Sequence, residues 1–95
     1  MLADLNYLLR SNQNGQYIVA RPRGEQDRTG FLLLFSEQSE ALSYVNTHAG
    51  EVRDRFTVEA VTKPQLRDIL NRWKFQGVGR VKDPLIPDIE FLVAE

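Results

Sequence analysis

An α+β fold is predicted for this 95-residue chain: a mainly antiparallel sheet of four to five strands, packed with two to three helices, forming a single domain over 1–95. Three observations predict it. Phe31-Leu32-Leu33-Leu34-Phe35 is an unbroken apolar run, bounded on both sides and short, as in a strand buried on both faces. Arg55 to Ala60 alternates polar and apolar residues, as in a strand with one wet face. Leu66, Ile69, Leu70 and Trp73 recur at i, i+3, i+4 and i+7, the spacing of an amphipathic helix. Strands interleaved with such helices bury their apolar faces by packing helix on sheet.

The elements follow in order. Leu2, Leu5, Leu8 and Leu9 fall on one side of a short helix, and leucine and alanine without β-branching favour that state. The rival is a hairpin, Leu5–Arg10 pairing with Gln16–Arg21 across Asn12-Gln13-Asn14-Gly15. Helix is the preferred reading, and Asn12–Gly15 is a turn on both. Tyr17-Ile18-Val19-Ala20 is aromatic and β-branched, hence a strand, and Pro22 ends it. Arg21–Thr29 is a nearly balanced charged loop, read as a solvated hairpin connection, with a gripping loop as the alternative.

After Phe35, Ser36 is placed to cap a helix, and Glu37 and Glu40 put negative charge at its positive end. Ala41, Leu42, Val45 and Ala49 form its expected buried stripe, and Gly50 its left-handed stop. Glu51–Asp54 is a polar connection. Thr62 and Gln65 make a capping-box pair, with Pro64 in the first turn where a missing N–H costs nothing. The helix that follows is expected to bury Trp73 and to end at Gly77, with Gly77-Val78-Gly79 serving as cap and turn. Val78–Lys82 is a short strand, Asp83-Pro84-Leu85-Ile86-Pro87 a turn, and Ile89–Ala94 the last strand.

Composition sets the functional classes. With 42% hydrophobic and 26% charged residues the chain is globular in character. A net charge of −1 provides no global field for a polyanion or an acidic membrane. Cysteine is absent, which excludes disulfides and thiolate metal sites and fits a reducing compartment. No apolar run approaches the ~20 residues of a membrane span, and Met1–Asn6 lacks the basic start of a signal peptide. The expected location is cytoplasmic, with no membrane partner.

No catalytic or metal constellation emerges. His48 is the only histidine, and neither Glu37, Glu40 nor Glu51 stands at ligand-like spacing from it. Its expected role is favourable charge at a helix C-terminus, or plain exposure. Gly77-Val78-Gly79 follows a helix instead of opening one, the reverse of a phosphate loop. The chain is therefore read as a non-enzyme without catalytic, cofactor or metal residues.

Charge is more informative. Lys63 to Lys82 holds six basic residues against one acid, whereas Asp83 to Glu95 holds four acids and no base. One reading has the two segments neighbouring and neutralising each other. The other is a basic face of Arg67, Asn71 and Lys74 on the helix with Arg80 and Lys82 on the next strand, meeting an acidic protein surface. The whole-chain charge predicts weak or no nucleic-acid binding at physiological salt. The working expectation is a small protein-interaction module whose partner is a protein, including a second copy in a homodimer. Self-pairing would use the strand at Arg55–Ala60 or the last strand, whichever lies at a sheet edge. Nucleic-acid or anion binding through 63–82 is the first alternative, and a small enzyme with an unrecognised site the second.

Several of these residues resemble the N-terminal domain of the SseB-like family. They are Tyr17-Ile18-Val19 after Leu8-Leu9, Leu34-Phe35-Ser36-Glu37 running into Ala41-Leu42, the helix Gln65–Trp73, and Asp83-Pro84 where the family often has Asn-Pro. The resemblance covers most of the chain, implies the fold, and brings no catalytic signature. The family often carries a second, C-terminal domain that is not in this sequence.

Overall fold

The computed structural model describes residues 4–22, 24 and 30–93. The fold is α+β. In chain order it has strands β1 (Leu5–Ser11), β2 (Val19–Ala20) and β3 (Phe31–Leu34), helix α1 (Gln38–His48) and a 3-10 helix (Gly50–Arg55). Strand β4 (Phe56–Thr62), helix α2 (Lys63–Trp73) and strands β5 (Gly77–Asp83) and β6 (Asp88–Val93) complete it.

The expected single sheet is two sheets. β1 and β4 pair antiparallel, and a four-stranded sheet runs in the order β2-β3-β5-β6. In the latter, β3 and β5 are parallel and the outer pairs antiparallel. The sheets touch through single bridges, Tyr7 to Phe35 and Arg10 to Tyr17. β2 and β3 are too short to build a full ladder with β1, since the chain bends at Ser36 directly after Phe35.

β3 lies inside the four-stranded sheet and is buried throughout, as the apolar run predicted. The reason is that two core clusters flank it. Leu32 and Leu34 pack with Leu8, Val61, Leu66 and Val78 on the side of α2. Leu33 and Phe35 pack with Leu9, Val81, Ala41 and Val45 on the side of α1. Alternating side chains thus feed opposite faces.

The first segment is a strand and not the preferred helix. Leu8 and Leu9 are both buried, one in each cluster, which adjacent residues achieve by pointing to opposite faces of a strand. The rival hairpin forms only beside its turn, where Ser11 N–H donates to the Gln16 carbonyl at 2.8 Å and Ile18 N–H to the Leu9 carbonyl at 2.9 Å; the ladder partner of β1 along its length is β4. Gly15 takes φ +71° in the turn. Leu2 and most of the 21–29 loop (23 and 25–29) lie outside the described residues.

Four smaller expectations change. The N-cap of α1 is Glu37, not Ser36, and makes no side-chain capping bond. Its inner face is Ala41 and Val45 with Tyr44, whose ring meets Phe35 edge-on at 5.4 Å, while Leu42 is exposed. Gly50 opens the 3-10 helix, and the C-cap is Ala49. α2 begins with the full Thr62–Gln65 capping box but ends at Lys74, which takes the left-handed conformation at φ 57°. Gly77 and Gly79 are accordingly residues of β5. At Gly79 a Cβ would stand 3.1 Å from Ile89 Cγ2 and 3.3 Å from Leu33 Cδ2, so glycine answers to packing there.

Candidate functional site

β5 and β6 form a hairpin whose outer strand ends the four-stranded sheet, with no strand beyond it among the described residues. Its turn is built locally: Asp83 Oδ1 accepts from the Leu85 N–H at 2.9 Å, and His48 Nε2 donates to the Pro84 carbonyl at 2.8 Å. His48 is thus exposed at the end of α1 and pinned to the turn, with its ring 4.7 Å from that of Tyr44. In β6, Ile89 packs on the α1-side core and Phe91 meets the Phe31 ring edge-on at 5.1 Å. Beyond these anchors the strand is open. Phe91 and Leu92 are about two-fifths exposed, Val93 is 76% exposed, and Leu85 and Ile86 stand out from the turn. β4 is also terminal in its sheet, yet no large hydrophobic on it is exposed.

The predicted basic residues divide. Arg67, Asn71 and Lys74 are exposed on α2. Arg80 lies opposite Glu90 in the β5–β6 ladder and binds it, Nη2 to Oε1, at 3.1 Å. The basic and acidic segments are therefore neighbours, and at this pair they neutralise each other. Arg80 and Lys82 come together on a small cavity of about 200 Å³ with Ser36, Glu40 and Val81. Arg67, Asn71 and Lys74 are not on its lining.

A second feature was not foreseen. An open cleft of about 560 Å³ lies between α2 and the β1–β4 pair, with Arg10, Tyr17, Glu59, Asp68, Arg72 and Trp73 on its walls. The Arg10 guanidinium sits 4.8 Å from the Tyr17 ring centre, donates from Nε to the Gly15 carbonyl at 2.7 Å, and reaches Glu59 at 3.7 Å. Burial raises the Tyr17 pKa above its ordinary value, with the Glu59 carboxylate adding to the effect. The phenol lies on the cleft wall beside the Glu59 carboxylate. Trp73 is 38% exposed, a correction to its expected core position. The stripe of α2 outruns the core: only Leu66 is fully buried, and Trp73 rests at the rim, edge-on to Tyr17 at 5.3 Å. Arg10 and Glu59 meet because β1 pairs with β4, which the sequence alone does not announce.

Among the described residues no group of three or more His, Asp or Glu is placed to hold a metal ion, and no helix is long and apolar enough to cross a membrane. No family model, curated protein or solved structure matches the chain.

Proposed function

We propose that this chain is a small, non-enzymatic protein-interaction module of the cytoplasm, which binds by pairing an extended protein segment with the free edge of β6. The observation that carries the reading is the coincidence of an edge unpaired among the described residues with exposed Phe91, Leu92 and Val93. An edge strand presents unpaired N–H and C=O groups that template another strand, and soluble proteins usually blunt such edges with charge. Here the apolar half of β6 is left open. The resemblance to the SseB-like N-terminal domain, carried by the residues quoted above, is compatible with this role and adds no chemistry to it.

Anion or nucleic-acid binding through Arg67, Asn71, Lys74, Arg80 and Lys82 is the weaker reading, because the Arg80 charge is already engaged by Glu90. Capture from native cytosol separates the two. Proteins held by the wild-type chain are expected to be lost with the Leu92→Lys/Val93→Lys variant and kept with Arg67→Glu/Lys74→Glu. The opposite pattern would overturn the edge reading in favour of the basic stripe. Turnover in a hydrolase or phosphatase screen, lost on His48→Ala, would contradict the non-enzymatic assignment.

A further inference from the structure

We infer that the occupant of the β6 edge is the β6 edge of a second copy, joined antiparallel about a two-fold axis at Phe91. The inference rests on the edge-pairing reading above and names its partner. Charge selects the register. The strand reads Asp88-Ile89-Glu90-Phe91-Leu92-Val93, with its acids confined to one half. Parallel in-register pairing would set Asp88 against Asp88 and Glu90 against Glu90, and like charges directly opposite are destabilising. An antiparallel pair centred on Glu90 also opposes two carboxylates. One centred on Leu92 shortens the overlap within β6 to Phe91–Val93.

Centring on Phe91 overlaps Ile89 to Val93 of each strand and opposes no like charges. It sets Phe91 against Phe91, Ile89 against Val93 twice, and Glu90 against Leu92 twice. Glu90 enters this arrangement with its charge already bound by Arg80 at 3.1 Å. The side chains brought together include the exposed ones, Phe91, Leu92 and Val93. A two-fold axis makes the contact self-complementary and closed, so it ends at a dimer and does not grow into a fibre. The two four-stranded sheets become one of eight strands. β4 offers no such match, since its edge exposes no large hydrophobic.

Cysteine placement tests the register directly, because the wild-type chain has none. Directly opposed residues in an antiparallel pair have Cα atoms about 4.5–5.5 Å apart, within disulfide reach. Under mild oxidation with diamide, Phe91→Cys is expected to cross-link to itself. Glu90→Cys and Leu92→Cys are each expected to form no disulfide-linked dimer alone and to cross-link when mixed. The mixing arm leaves the Phe91–Phe31 contact intact, so it holds even where Phe91→Cys folds poorly. Sedimentation of the wild-type chain is expected to show the mass doubling with concentration, and Leu92→Lys/Val93→Lys to abolish the doubling.

Cross-linking of Glu90→Cys with itself would overturn the register. A wild-type chain that stays monomeric at millimolar concentration, with no mixed cross-link, would overturn self-pairing. In that case fast exchange of the outward β6 amides leaves the reading of an edge open to another protein standing. Slow exchange of those amides in the dilute monomer would overturn both.

Discussion

Gly79 shows how closely β5 is packed beneath β6. An added methyl group would press on Ile89, Leu33 and Phe91, and Leu33 is itself fully enclosed. Gly79→Ala is therefore expected to destabilise the fold by about 1–3 kcal/mol, the usual range for overpacking, despite the entropy gained by replacing glycine. An unchanged or raised urea midpoint would contradict this. Trp73→Ala should cost less than a sealed core residue, about 1–2 kcal/mol, since Trp73 keeps 38% of its surface in water. Its emission should be partly accessible to acrylamide. A fully shielded Trp73 would show that the rim position is wrong. Tyr17 and Tyr44 both have pKa values raised by burial, with Glu59 adding at Tyr17. A raised folded-state value means that their contribution to stability is fully present below the unfolded tyrosine pKa near 10 and is lost as pH rises through the higher folded values. Urea midpoints should therefore fall above about pH 10, and the fall should be shallower in Tyr17→Phe/Tyr44→Phe. An identical slope in that variant would contradict the assignment.

At the level of elements, α2 is the part whose local code is most complete. Thr62 Oγ1 accepts from the Gln65 N–H, and Gln65 Oε1 from the Thr62 N–H at 2.9 Å. Thr62→Ala should cost about 1 kcal/mol, as loss of an N-cap does, measurable as a drop in the urea midpoint. No change would mean that the box contributes nothing. That start was legible because capping is a contact between residues three apart. The two-sided burial of β3 was legible for a similar reason, an apolar run of strand length with turn signals at its ends. β1 was not. Its leucines match a helical stripe, and only the existence of two cores, one on each side of β3, makes a strand the better way to bury Leu8 and Leu9 together. Leucine's modest helix preference yields to that packing. The end of α2 was misplaced because Lys74, and not a glycine, adopts the left-handed cap. The Arg10–Glu59 pair and the cleft beside it depend on residues 49 apart in sequence, and no local pattern encodes them.

For the whole molecule, the decisive property is an asymmetry between two of its sheet-terminal strands. β4 shows water mostly polar and small side chains, while β6 shows Phe91, Leu92 and Val93. The sequence placed both strands as candidates for an edge, and the fold leaves only β6 apolar there. Two other surfaces, the cleft beneath α2 and the cavity at Arg80 and Lys82, carry opposing charges on their walls, so neither presents a single-sign field to a polyanion. The edge of β6 is thus the surface on which the functional reading stands. Amide hydrogen exchange along Ile89 to Val93, followed from dilute to concentrated protein, tests it most directly. Alternate amides of β6 bond to β5 and the others face outward. The outward set is expected to exchange fast in dilute solution and to become protected as concentration rises, with no such protection in Leu92→Lys/Val93→Lys. An outward set already slow in the dilute monomer would contradict the account, because the edge would not be free to bind.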